Sequence, residues 1–199
     1  RISECRILCA QAQLRAMNGE LDQARTLYRR SRAILSDLGQ GVPAAACVLD
    51  LMLIELHGGD LAHAEREARA DYAFLEEVGE TYYLSTLAGL LSRVVRDQGR
   101  DAEALALSQT AEQLSAADDV NSQVFWRSAR APILARAGDL TRAEQLARQA
   151  VDIIMPTEAP NFKADTIAEL ACVLHIAGKG DEARARIAEA IDLYSIKGN

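Results

Sequence analysis

At 199 residues the chain has room for one domain or one modest solenoid, and not for a large multi-domain enzyme. Acidic residues outnumber basic ones 29 to 22, so the formal net charge of -7 excludes a broad cationic surface for phosphate backbones. Hydrophobic residues make up 49% with aromatics at only 5% and four prolines, an Ala-, Leu-, Val- and Ile-rich composition that suits packed helices.

The first predicted unit, 1–40, holds two helices joined at Gly19, with Glu20 opening the second. Cys5 and Cys9 stand at i and i+4 on its first helix. They read as small buried hydrophobes, since a closed zinc site needs four ligands. Arg25, Arg29 and Arg32 share one face of its second helix, read as a solvated convex stripe. In the second unit, 41–80, the apolar run from Val42 to Leu56 is broken by Asp50 and Glu55 and is too short to span a membrane. Val48, Leu51, Met52 and Glu55-Leu56 recur at helical spacing, Gly59 marks the turn, and Asp60 opens the next helix.

The third unit, 81–119, opens on Thr81-Tyr82-Tyr83 and carries Arg93 and Arg96 before its turn at Gly99. The fourth, 120–159, opens near Phe125-Trp126, continues through Arg127, Arg130 and Arg136, and turns at Gly138-Asp139. Both aromatic pairs read as plugs at repeat junctions. Arg127 and Arg130 are expected to snorkel or to pair with Asp118, Asp119 or Glu169 while Trp126 packs. The unit ends in Pro156–Pro160, which cannot continue a helix. The fifth unit, 160–199, contains Cys172 and His175, a turn at Gly178-Lys179-Gly180, and Ile187, Ile191 and Tyr194 as an apolar stripe with no following repeat. Glycines at 39, 79 and 198 read as left-handed helix ends.

These units share a beat. Gly19, Gly59, Gly99, Gly138 and Gly178 are each followed five residues later by Ala24, Ala64, Ala104, Ala143 and Ala183, at spacings of 40, 40, 39 and 40. The alanine falls one turn into each second helix, where a larger side chain would push the paired helices apart. About ten helices in five antiparallel pairs follow.

The pattern resembles the tetratricopeptide repeat, whose standard unit is six residues shorter. The resemblance implies an all-α, right-handed superhelical solenoid. The repeat length, with LARAGDLTRAEQLARQAV and LHIAGKGDEARARIAEAIDLYSIKGN, is similar to the solenoids of large bacterial signalling ATPases, of the nucleotide-cyclase-linked or LuxR-type regulator kind. First helices would line the concave face. That places Gln13, Leu53, Arg93, Pro132 and Cys172 in one row, Ala16, Leu56, Arg96, Ala135 and His175 in a second, and His57, Asp97 and Arg136 at the tip. Gln13, Leu53, Leu56, His57, Arg93, Arg96, Arg136 and His175 are therefore the candidate partner-binding residues. Arg93, Arg96 and Arg136 would form a basic pocket for an acidic segment. The carboxylate clamp of the chaperone-binding members is absent, because Cys9, Leu49, Gly89, Ser128 and Ala168 occupy its positions.

No phosphate-binding loop, H-E-x-x-H or paired CxxC occurs, and no His has a nucleophile and an orienting partner at an arguable spacing. The reading is a non-enzymatic interaction and regulatory module without cofactor or metal, which binds a protein or peptide partner or a neighbouring domain of its own chain. The alternative is a small-molecule or peptide sensor with its ligand in an apolar concave pocket around Leu53, Leu56 and Arg93. Direct contact with nucleic acid or membrane is not expected. Four cysteines and no visible signal peptide fit a reducing cytoplasm. The start at Arg1 and the end at Gly198-Asn199 read as those of a piece of a longer protein, and exposed solenoid ends would permit self-association.

Overall fold

The computed structural model describes residues 1–197, and the side chains of 1–196; the helix end expected at Gly198 lies outside this range. Ten helices follow in order: α1 (Ile2–Met17), α2 (Leu21–Asp37), α3 (Gly41–Gly58), α4 (Leu61–Glu77), α5 (Tyr82–Asp97), α6 (Asp101–Leu114), α7 (Val120–Arg136), α8 (Leu140–Ile154), α9 (Pro160–Ile176) and α10 (Gly180–Lys197). Each packs on its chain neighbours, and the odd-numbered helices also pack on one another in succession. The result is a stack of five antiparallel pairs.

The glycine–alanine beat is the geometry of the turns. Gly59 has φ +82° and closes α3 in the left-handed region, which an L side chain adopts only at a cost. The next residue, Asp60, caps α4 by accepting a hydrogen bond from the His63 amide at 3.0 Å. Asp139 does the same for α8 through the Arg142 amide at 3.2 Å. Ala24, Ala64, Ala104 and Ala143 are all 0% exposed, so each sits where two helices touch. At Ala104 the contact is close enough for Ser92 Oγ of α5 to donate to its carbonyl at 2.7 Å.

A core dominated by Met52, Leu75, Leu87, Leu91 and Val94 runs from α3 through α5 and meets a second cluster around Trp126, Leu170 and Leu174. Helix α3 is apolar over 18 residues, with mean hydropathy 1.4; Val48, Leu51, Met52 and Ile54 are buried in the stack, while Leu49 and Leu53 are half-buried. Glu55, inside its stripe, is 0% exposed and bonds Arg25 of α2 through both oxygens, each at 2.6 Å. The Arg25–Arg29–Arg32 stripe therefore faces α3 and α4, in contrast to the solvated face expected. Arg32 reaches Asp71 at 2.6 Å, Arg29 stands 3.2 Å from His63 Nε2, and only Arg29 of the three is exposed. Similar pairs stitch later second helices, as Arg148 to Glu182 at 2.6 Å.

The ends differ from the middle. Ile2, Ile7 and Leu14 on α1 and Ile187, Ile191 and Ile196 on α10 are exposed. Tyr194, expected in that exposed stripe, is instead half-buried, with its hydroxyl donating to Asp165.

Candidate functional site

The first helices surround a concave cavity of about 950 Å³. Leu14 of α1, Leu49, Leu53 and Ile54 of α3, Leu90 of α5, Phe125 of α7 and Phe162 of α9 supply its apolar surface. The stack curls far enough for its second and fifth pairs to meet. His57 Nε2 of α3 lies 3.1 Å from Asp165 Oδ1 of α9, and the Phe125 and Phe162 rings stand 4.6 Å apart beneath that bridge. The cavity volume lies at the upper end of the range for small-ligand sites.

The geometry of the bridge favours the protonated imidazole. His57 Nδ1 donates to the Leu53 carbonyl at 2.7 Å while Nε2 faces Asp165. Two acceptors require two N–H donors, hence imidazolium. The hydrogen bond to Asp165 is the main cause that raises the His57 pKa above its ordinary value. Burial pushes the Asp165 carboxyl up, but the bonds and charges of His57, Arg93 and Tyr194 together hold it below the usual range. His57 therefore adds stability that is complete below the ordinary imidazole value of about 6.5 and is lost as pH rises through its raised value. Asp165 adds stability that is complete above about 3.9 and is lost as pH falls through its lowered value. Melting temperature is expected to exceed that of His57→Gln by the widest margin between about pH 4 and 6.5, with the gap closing on the alkaline side. An equal gap at every pH from 4 to 9 would contradict the assignment.

The expected site residues separate into two groups. Gln13, Leu53 and His57 line the cavity. Leu56 is instead half-buried against the core. Arg136 is exposed and reaches Asp101 at 2.5 Å and 3.0 Å, and His175 is exposed outside the cavity. Arg93 and Arg96, expected as a free basic pocket, are committed inside the protein. Arg96 is 7% exposed and donates to both oxygens of Glu169 at 2.8 Å and 2.9 Å. Arg93 Nε stands 3.1 Å from the same carboxylate.

A further bond explains why a guanidinium is buried there. Pro132 lies inside α7 and has no N–H for the carbonyl of Ser128, four residues back. Arg96 donates to that carbonyl at 3.1 Å. The proline was visible in the sequence, and the orphan acceptor it creates was the signal for a donor from the neighbouring first helix. Arg127 and Arg130 do not pair with Asp118, Asp119 or Glu169. Both stack on Trp126, at 4.0 Å and 4.6 Å from its ring centre, and Arg130 also reaches Glu112 at 2.6 Å.

Sequence reasoning did not identify the other end of the cavity, where Tyr28, Cys47 and Asp50 join Gln13. Gln13 Nε2 donates to Asp50 at 3.2 Å, and burial raises the Asp50 pKa above its ordinary value. Just behind, Cys9 Sγ stands 3.3 Å from the Ser31 hydroxyl, and the nearby Cys47 lowers the Cys9 pKa below its ordinary value while the Cys47 thiol is pushed up. Among the described residues no group of three or more His, Cys, Asp or Glu is placed to hold a metal ion.

No protein-family model matches the chain, and no curated protein matches it by sequence. In three dimensions it is similar to BtubC (BKLC) from P. vanneervenii, with a TM-score of 0.65 at 16% identity, over 100% of this chain and 88% of that one. It is also similar to a kinesin-light-chain array of nearly identical TPR-like repeats from Podosopora anserina, with a TM-score of 0.60 at 18% identity, over 99% and 98% of the two chains. The apo form of the quorum sensor NprR from B. thuringiensis gives a TM-score of 0.63 at 15% identity, over 94% of this chain and 52% of that one. At these identities the likeness shows the fold: an all-α scaffold of tandem TPR-like repeats.

Proposed function

We propose that the chain is a non-enzymatic binding module whose concave cavity takes a short peptide, as in a peptide sensor. The observation that carries this reading is the cavity itself. Five first helices line an open-sided cavity of about 950 Å³, the lining is largely apolar, and the His57–Asp165 bridge ties the two sides of the curl together. A small set of polar groups, Gln13, Asp50 and Tyr28, converges at one end, as a site needs in order to orient its ligand. The similarity to a quorum sensor favours ligand sensing. Placement within a signalling ATPase rests on the repeat length and the LARAGDLTRAEQLARQAV and LHIAGKGDEARARIAEAIDLYSIKGN segments, and has no support from these structures.

The test is selection of binders from a random-octapeptide phage library on wild-type protein, Leu53→Arg and Asn121→Trp. Leu53 lies on the cavity wall and Asn121 at its exposed mouth, so the second variant blocks entry without disturbing the core. Peptides held by the wild type and lost by both folded variants support the reading. Failure to select any binder, or binders indifferent to both changes, overturns it.

A further inference from the structure

We propose that the cavity selects a peptide bearing a lysine or arginine side chain between apolar residues, and that Asp50 receives the cation with the Tyr28 hydroxyl and Gln13 beside it. This rests on the cavity being the peptide site and adds what it recognises.

The lining is acidic on balance, with His57 as its one cation and that one facing Asp165. Its carboxylates are Asp50, Glu158 and Asp165, and no lysine or arginine lines it. The three are not equivalent. Glu158 is exposed and solvated, whereas Asp165 already faces His57 and the Tyr194 hydroxyl. Among the buried carboxylates Glu55 pairs with Arg25, Asp71 with Arg32 and Glu169 with Arg93 and Arg96, while Asp119 caps α7 by accepting from the Ser122 amide. Asp50 has one hydrogen bond, from the neutral amide of Gln13, and no ion pair among the described residues. It stands half-buried in an apolar wall formed by Leu14, Leu49, Leu53 and Ile54. A carboxylate so placed is costly until a cation reaches it.

Tyr28 is an independent sign of an unfilled position. The residue contributes to the cavity lining and is only 2% exposed, and its buried hydroxyl has no hydrogen-bond partner. Buried polar groups are normally satisfied, and an orphan costs the full desolvation of the group. An ammonium or guanidinium at Asp50 would supply N–H donors to the hydroxyl oxygen as well as to the carboxylate. The side chain, not the terminal amine, is the better match. A half-buried anion among apolar lining residues suits a charge carried on a long aliphatic stem, and that stem would lie along Leu14 and Leu53. An acidic ligand, expected from the arginines in the sequence, would meet repulsion here.

The experiment uses the octapeptide selection, followed by calorimetry of the tightest binder and of its neutral analogue. Lysine is replaced by norleucine or arginine by citrulline, and each peptide is measured on wild type, Asp50→Asn and Tyr28→Phe. Binders are expected to be enriched in lysine or arginine, and the neutral analogue is expected to bind the wild type about 10- to 100-fold more weakly. Asp50→Asn keeps shape and polarity, so its melting temperature should hold. It should lose the same factor for the charged peptide and no longer distinguish the two. Tyr28→Phe should reduce the discrimination in part. The proposal is overturned by cavity-bound peptides without a positive side chain, by binding that depends on the free N-terminal amine alone, or by discrimination that survives Asp50→Asn. Those results would leave the peptide site itself standing; an absence of any cavity binder removes both.

Discussion

Glu169→Ala is expected to cost about 3–5 kcal/mol, the loss typical when one member of a buried ion pair is removed. For a chain of this size that lowers the melting temperature by roughly 10 °C. Glu169 is 8% exposed and is the shared counter-ion of Arg96 of α5 and Arg93 of the same helix, although it belongs to α9. Alanine would strand the Arg96 guanidinium in the core with only Asp97 and the Ser128 carbonyl as partners. The pair is also a connector, because α5 and α9 belong to the third and fifth repeats, and Arg96 spans them across α7. A double variant Arg96→Leu/Glu169→Leu separates charge from connectivity. Apolar replacement of both ions is often nearly neutral. Here it should still leave a deficit of about 1–3 kcal/mol, since the Ser128 carbonyl freed by Pro132 would lose its donor. Chemical denaturation of the two singles and the double measures this directly. A double variant as unstable as either single would show that the guanidinium is not stranded by the loss of Glu169.

Gly89→Ala is the second large effect, and its sign runs against helix propensity. Gly89 is buried mid-way along α5, where alanine would normally gain about 1 kcal/mol. A Cβ there would stand 2.8 Å from Phe125 Cβ and 3.3 Å from the Trp126 amide nitrogen of α7. Both neighbours are fixed to the backbone, so the two helices would have to separate. Overpacking of this kind costs about 1–3 kcal/mol and outweighs the propensity gain, with Gly89→Val worse still. Gly180→Ala is the control. Its Cβ would meet only the Arg184 side chain, at 3.6 Å, and it should be neutral or gain up to about 1 kcal/mol. Thermal melts that placed Gly89→Ala at or above wild type would refute the close approach of α5 and α7.

The architecture was legible because it is written in local terms that repeat. A left-handed glycine and a buried alanine five residues on are backbone and packing requirements of each helix pair, met at Gly59 and Ala64 as at Gly138 and Ala143. The groove was legible in part. Assigning first helices to the concave side brought Gln13, Leu53 and His57 to the cavity. What could not be read was how far the stack curls. Contacts between non-adjacent repeats, His57 with Asp165 and Arg96 with Glu169, depend on accumulated twist, to which no short motif corresponds. Curl of that degree turns Arg93 and Arg96 from ligand groups into internal partners. It leaves Asp50, which looked only like an interruption of an apolar run, as a half-buried carboxylate of the cavity lining with no basic partner among the described residues.

The central claim is that the concave cavity is where this module takes its ligand. Methyl-resolved NMR of leucine- and isoleucine-labelled protein, titrated with a selected octapeptide, tests it most directly. Shifts at Leu14, Leu49, Leu53, Ile54 and Leu90, with Ile2, Ile187, Ile191 and Ile196 unmoved, are the result this account predicts. Shifts confined to those exposed isoleucines at the two ends of the stack, with the cavity leucines silent, would contradict it.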